Sequence, residues 1–451
     1  MLALDNAAIS PPMTEPLSDA ARTLPHDPNS PAFVKAVTQL SERRPVTTVR
    51  AIYNHQGTKL LEGGVQIDAG LYDRLVAHRL AAPLDEDLDS APTVTGTMLR
   101  AAAEAAIARW TFFGLMAPAG RVRSMVLQAI EAIPLPRPVA FHLTLARETR
   151  PALFEHSVLM AILAAHLVRE GGAPIHDMTV AATAGLLHDL GMLHIDAELL
   201  DAGNRLSGDE RRPLYVHPVT SSMLIARFHE YSNDISRAIL EHHELLDGSG
   251  YPRGLAGEAI SPLGRLLSLC EVVTAMFDGE REYPEQRVSL LLRMTPRRFD
   301  AALVPSIHRL LRACPVVTEA VSLTLGEAVA GLQPMTQLLT RFHAVATALA
   351  PTLDAAAQGV LKAVGLQADT LQRALFEAGV TPDQLDRLVH AADADAGLRA
   401  ELWALNRELH WHLGASANQL RRRWNAGVRG QPLPVELEAW VTDVEALAAA
   451  R

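Results

Sequence analysis

A chain of 451 residues exceeds the size at which a single hydrophobic core keeps growing, so two or three domains are expected, and with 49% hydrophobic residues there is apolar material to fill them. The formal net charge of −10, without any basic tract, argues against binding nucleic-acid polymers or anionic membranes, while leaving room for a local cationic pocket and a small phosphate ligand. Two cysteines, Cys270 and Cys314, are too few for a disulfide framework and are expected as reduced thiols.

Residues 1–45 are rich in Pro, Ser, Asp and Thr and read as a flexible leader. The first residues lack the basic and apolar regions of a secretion signal, and no later segment approaches bilayer-spanning length. The expected compartment is therefore the cytoplasm, with no membrane span. Over 46–92 a small α+β module is predicted: a hairpin with Thr47–Tyr53 and Lys59–Leu61 around Asn54-His55-Gln56-Gly57, a helix over Ala69–Leu80, and a solvated acidic linker over Pro83–Ser90. A helical connector covers 93–140, with helices over Thr95–Leu115 and Arg121–Ile133 that stop before Pro134, Pro136 and Pro138.

Ala and Leu recur at helical spacing with few β-branched runs and only 5% aromatic residues, so the fold class is mainly α. Within 141–312, apolar helices are predicted over Ala152–Arg169, Asp177–Leu190 and Leu263–Phe277. Ser207-Gly208-Asp209-Glu210 is a capping-box pattern leading to His217. From 313 to 451 the sequence reads as a C-terminal helical domain, with Thr381-Pro382-Asp383-Gln384 starting one helix, and with His390, His410 and His412 in polar surroundings read as surface or boundary residues.

Seven nitrogen or oxygen donors lie on or beside the predicted helices of 141–312: His156, His188, Asp189, His217, His242, His243 and Glu271. Any one of these histidines has an ordinary reading as a hydrogen-bonded core residue. Together they match the way helical bundles build dinuclear sites. Glu271 lies amid Leu266, Leu267, Leu269, Cys270, Val272 and Val273, where a carboxylate needs a cation or a raised pKa.

Between them runs the long signature Glu241-His242-His243-Glu244, Asp247-Gly248-Ser249-Gly250-Tyr251-Pro252, Gly254-Leu255 and Gly257. On these residues the chain resembles the HD-GYP subgroup of the HD phosphohydrolases, which hydrolyses the bacterial messenger cyclic di-GMP. The resemblance implies an all-α domain around two iron or manganese ions, held by the seven residues named, with Asp189 bridging and catalytic. It further implies cyclic di-GMP as substrate, opened to pGpG and then GMP by a metal-activated water. Gly250, Tyr251, Pro252, Arg253, Arg265 and Arg281 are the expected substrate contacts, and signalling proteins such as diguanylate cyclases the expected partners. The oligomeric state is left open.

The chain departs from the family pattern at Met192 for the usual Lys, Glu271 for the usual Asp, Thr274 for a further Asp, Arg281-Glu282-Tyr283-Pro284 for an Arg-Pro-Tyr-Arg/Lys stretch whose second cation is absent, and Ala152 for the Glu of trinuclear members. The departures weaken the substrate grip more than the metal cage. They leave open an alternative in which the domain signals by binding a ligand or a partner protein without turnover.

Overall fold

The computed structural model describes residues 29–200, 212–278, 283–295, 297–315, 325–377, 396–428 and 431–449. The capping-box pattern at 207–210, the helix start at 381–384, His390 and Arg281 lie outside the described residues.

The chain divides into two compact units, the first being Met1–Glu280 with Phe299–Leu310, the second Arg281–Arg298 with Leu311–Arg451. The first opens with helix α1 (Pro31–Arg43), whose N-cap Ser30 accepts a hydrogen bond from the Phe33 amide. This part of the expected flexible leader is therefore ordered: Phe33, Val34, Val37 and Leu40 are buried, and Phe33 stacks between His142 and His194, each ring centroid 4.9 Å away.

Strands β1 (Thr47–Thr48), β2 (Ile52–Tyr53) and β3 (Lys59–Leu61) follow, then the short helix α2 (Tyr72–Val76) and β4 (Leu88–Asp89). The expected hairpin is the β2–β3 pair. β1 instead pairs antiparallel with β4, which lies inside the stretch read as an acidic linker. That reading is corrected: Asp85 is 2% exposed, and it accepts a 2.5 Å hydrogen bond from Arg227 while Asp87 takes one of 2.7 Å from Arg50. Cations remote in sequence make the burial of these carboxylates tolerable.

Helices α3 (Gly96–Arg109), α4 (Thr111–Met116), α5 (Arg121–Glu131) and α6 (Arg137–Thr149) lead into the central helices. These are α7 (Pro151–Glu170), α8 (Ile175–Leu187), α9 (Arg212–Ile225), α10 (Asn233–Glu241) and α11 (Pro262–Thr274). Contrary to the expectation from sequence, α7 is long and apolar enough to cross a bilayer, with a mean hydropathy of 1.5 over its best window. It is a core helix by position, since 78% of that window is buried in the unit and it carries His156.

The second unit contains α12 (Pro284–Met294), which the sequence reading had placed in the 141–312 domain. It belongs with the C-terminal helices because Leu290 joins their apolar core and Arg287 pairs with Glu408 at 2.8 Å. Long helices make up that core: Leu325–Leu349, Ala355–Glu377, Ala396–Gly427 and Val435–Ala449. His412 is 2% exposed rather than a surface residue.

Candidate metal centre

The donors reach one point because each central helix ends or turns beside it. His156 sits one and a half turns into α7, and α8 stops at Leu187 so that His188 and Asp189 open a 3-10 turn over Leu190–His194. His217 precedes Pro218 within α9, His242 and His243 follow the last residue of α10, and Glu271 lies near the end of α11. Close packing is required here, since a side chain on Gly191 would strike the His217 carbonyl and the Ser221 backbone, and one on Gly185 the backbone of Met160.

Three histidines are oriented in the same way. The Nδ1 of His188 lies 2.8 Å from the Gly185 carbonyl, that of His242 2.6 Å from the Ile239 carbonyl, and that of His217 is bonded to the Leu214 carbonyl, in each case three residues back. A carbonyl only accepts, so Nδ1 carries the proton and Nε2 presents a lone pair to the interior. His156 differs: its Nδ1 is 3.1 Å from Oδ1 of Asp278.

The inward nitrogens gather on two carboxylates. Asp189 Oδ1 lies 3.0 Å from His217 Nε2 and 3.6 Å from His242 Nε2, and its Oδ2 lies 3.4 Å from His188 Nε2. Glu271 Oε2 lies 3.1 Å from His156 Nε2 and 3.3 Å from His188 Nε2. Two ligand-sized groups result, Asp189 with His217, His242 and His243, and Asp189 with His156 and His188, every donor atom within 4.8 Å of the others in its group. Asp189 belongs to both.

The charges are those of a cation cage. Burial disfavours the charged form of both carboxylates, yet the imidazoles of His188 and His217 hold the Asp189 carboxyl well below its usual range, and His156 and His188 do the same for Glu271. Burial lowers His188, but Asp189 and Glu271 outweigh it and raise this imidazole to about 9, so that Nε2 takes a proton wherever no cation takes its lone pair. Burial wins at His242 and His243, which are both lowered. The Nε2 atoms of His217 and His242 lie 3.2 Å apart, and with both Nδ1 protons committed to carbonyls two lone pairs face each other. Both Asp189 oxygens, His188 Nε2, His243 Nε2 and Glu271 Oε1 are buried without a hydrogen-bond partner. Such atoms are costly unless a cation sits among them, and five imidazoles with two carboxylates fit divalent iron, manganese or zinc.

The loop of the long signature is stapled beside this cluster. Glu244 accepts the Arg253 amide at 2.7 Å and the Leu255 amide at 2.8 Å. Glu241 accepts from the Ser261 amide at 2.8 Å and from Arg253 Nη2 at 2.7 Å. Gly250 has no room for a side chain against the His243 carbonyl, and Tyr251, 5% exposed, stacks on the His243 ring at 4.5 Å. Pro252 follows it in the same buried turn. Arg253 and Arg265, expected at substrate phosphate, are given to carboxylates instead: Arg253 to Glu241, Arg265 to Asp300 at 3.2 Å. Met192 is fully buried, its carbonyl accepting a 2.5 Å hydrogen bond from Arg150.

Sequence reasoning missed Asp278 and Arg150. Asp278 lies seven residues after Glu271, two helical turns on, and that spacing was a signal for a second carboxylate on the same side. Arg150 left no comparable signal.

A family model described as HD domain matches residues 142–303. A cyclic di-GMP phosphodiesterase of Pseudomonas aeruginosa is 33% identical over 130 residues, 29% of this chain and 31% of that protein. The 3'3'-cGAMP-specific phosphodiesterase 1 of Vibrio cholerae is 34% identical over 123 residues, 27% of this chain and 28% of that protein. A cyclic di-GMP phosphodiesterase response regulator of Xanthomonas campestris is 29% identical over 156 residues, 33% of this chain and 41% of that protein. The chain spans less than half the length of these curated relatives.

Proposed function

We propose that the chain, whose residues 142–303 match an HD domain and whose relatives include cyclic di-GMP phosphodiesterases, is a metal-dependent phosphodiesterase of cyclic dinucleotides of the HD-GYP kind, acting on cyclic di-GMP to give pGpG and/or GMP. The observation that carries this reading is the sharing of Asp189 between two groups of inward-facing imidazoles. His156, His188 and Glu271 would hold one divalent ion, His217, His242 and His243 the other, with Asp189 between them. Bound there, iron or manganese supplies Lewis acidity toward a phosphate oxygen and a nucleophilic water at neutral pH.

The chain's own residues set up that chemistry before substrate arrives. Backbone carbonyls fix three ring orientations, so the donors need no reorganisation. Tyr251 covers His243 and keeps that side dry, while Glu241 and Glu244 hold the loop in place. A relative named as a cyclic di-GMP phosphodiesterase and one named as specific for 3'3'-cGAMP both match, so both compounds are candidate substrates.

A second reading, a module that binds ligand or partner proteins without turnover, is favoured by a specific feature: Met192 supplies no cation, and Arg253 and Arg265 already have carboxylate partners. The deciding experiment loads the protein with iron or manganese, counts bound metal, and follows both cyclic dinucleotides by chromatography, with Asp189→Ala as control. Turnover lost in the control supports hydrolysis. Absence of turnover at full occupancy rejects it in favour of the binding module.

A further inference from the structure

Arg150 stands at the junction of two helices. Its amide donates to the Ala146 carbonyl at the end of α6, and its own carbonyl accepts the amides of Leu153 and Phe154 at the start of α7. Its guanidinium leaves that junction for the 3-10 turn Leu190–His194, where Nη1 donates to the Met192 carbonyl at 2.5 Å and Nη2 to the Ile195 carbonyl. The backbone carries the link onward: the Met192 amide donates to the Asp189 carbonyl at 2.9 Å, and the Ile195 amide to the Met192 carbonyl at 3.1 Å. One guanidinium thus brackets the turn that Asp189 opens.

Carbonyls do not balance the charge of this partly buried cation, and burial lowers its pKa to about 10, with Asp196 opposing. Such a placement costs desolvation that an exposed arginine avoids. What it supplies is geometry, since the planar fork fixes two acceptors at once where an ammonium fixes one point. His156 follows Arg150 on the helix that Arg150 starts, and Asp189 stands at the head of the turn that Arg150 holds. The span from His156 to Asp189 is therefore bridged by one side chain.

A second tie holds the other side of the turn. The Gly191 amide donates to Ser221 Oγ at 2.8 Å, and Ser221 lies one helical turn after His217 on α9. Gly191 itself packs against the His217 carbonyl. This tie keeps Asp189 beside His217 independently of Arg150.

We propose that Arg150 is a positioning residue of the metal centre, which keeps His156 in register with Asp189 and so sets the ion position shared by His156, His188 and Glu271. The inference rests on the reading of the cluster as a site for two divalent ions. Residue 192 brings no cation through its side chain, and the cation of this turn reaches its backbone from the α6–α7 junction.

The test compares the full chain with Arg150→Gln, Arg150→Lys and, as control, Tyr231→Phe. Tyr231 donates its hydroxyl to the Pro134 carbonyl at 2.7 Å, a long-range tie that involves no donor of the cluster. Each protein is loaded with manganese, checked for helicity, and exposed to a graded chelator with metal counting. Arg150→Gln should release one of the two ions about a hundredfold more readily, with the second within about threefold of the parent. Arg150→Lys keeps the charge and can keep one of the two bonds, so it should release the same ion about tenfold more readily. Tyr231→Phe should unfold at lower urea yet retain both ions like the parent. Loaded with cobalt, Arg150→Gln should show shifted visible bands, because the ligand geometry has changed, and Tyr231→Phe the parent spectrum. If Arg150→Gln does not fold, Arg150→Lys decides by the same criterion. Retention of both ions with an unchanged cobalt spectrum, equal loosening of both ions, or equal metal loss in Tyr231→Phe each overturns the proposal. A parent chain that takes up no divalent ion rejects the two-ion reading and this inference with it, whereas a loaded parent without turnover rejects hydrolysis alone.

Discussion

At the scale of single residues, Asp278 and Met192 make opposite contributions to the same site. Asp278 gives His156 the orientation that the other anchored histidines take from backbone carbonyls, and it adds negative charge that, with Glu271, outweighs burial and holds His156 well above its usual range. Asp278→Asn keeps an acceptor and removes the charge. One of the two metal positions should then release its ion about tenfold more readily, as removal of outer carboxylates does elsewhere. Competition with a chelator followed by metal counting checks this, and unchanged retention of both ions would show that His156 is oriented without help. Met192 leaves the turn after Asp189 without the Lys that the HD-GYP resemblance leads one to expect there, since a thioether cannot stand in for an ammonium. Met192→Lys should raise turnover of cyclic di-GMP if a missing phosphate contact limits the rate. Its side chain enters a fully buried position, so the variant is to be compared at equal metal content, and equal or lower turnover at equal loading places the limit elsewhere.

At the scale of elements, the loop from Gly248 to Leu255 behaves as an insert clamped by two glutamates. Glu244 is fully buried and accepts two backbone amides. Glu244→Gln turns one accepting oxygen into a donor facing another donor, and a buried unsatisfied amide costs about 1–3 kcal/mol. The stability measured by urea unfolding should fall by that amount, and no change would mean the loop re-pairs its amides at little cost. The donors that the fold brings together were legible in the sequence because each stands in a local pattern: His-Asp at a helix end, His-Pro within a helix, His-His before the signature, Glu271 in an apolar helix. What was not legible depends on pairs distant along the chain. Asp85 looked solvated because its cation, Arg227, lies on the far side of α9, and the ordered leader helix was hidden because Phe33 finds its ring partners at His142 and His194. Arg150 was missed because it matters through hydrogen bonds to the Met192 and Ile195 carbonyls, more than forty residues on, and Asp278 because its partner, His156, lies on a helix remote in sequence.

At the scale of the molecule, stability and metal loading are both pulled by pH, and they are separable because a histidine outside the cluster titrates on its own. His166, on α7 and 4% exposed, is lowered to about 4, by burial first, with Arg169 adding to it and Glu170 opposing. A histidine whose folded pKa is depressed binds its proton more readily when unfolded. Its share of stability is therefore fully present above the unfolded value of 6.5, and is lost as pH falls from there toward about 4. The shift corresponds to about 3 kcal/mol over that window. The cluster also loosens with acid, since protons compete for the same nitrogens, so the parent chain alone cannot apportion the loss. His166→Gln keeps a hydrogen-bonding side chain that does not titrate. Denaturation curves of parent and variant at pH 7 and pH 4.5 should diverge, the variant losing about 2 kcal/mol less between the two conditions, while metal release follows the same pH profile in both. Parallel losses in stability would mean that His166 opens to solvent before it protonates, and that the acid sensitivity of this domain resides in the cluster around Asp189.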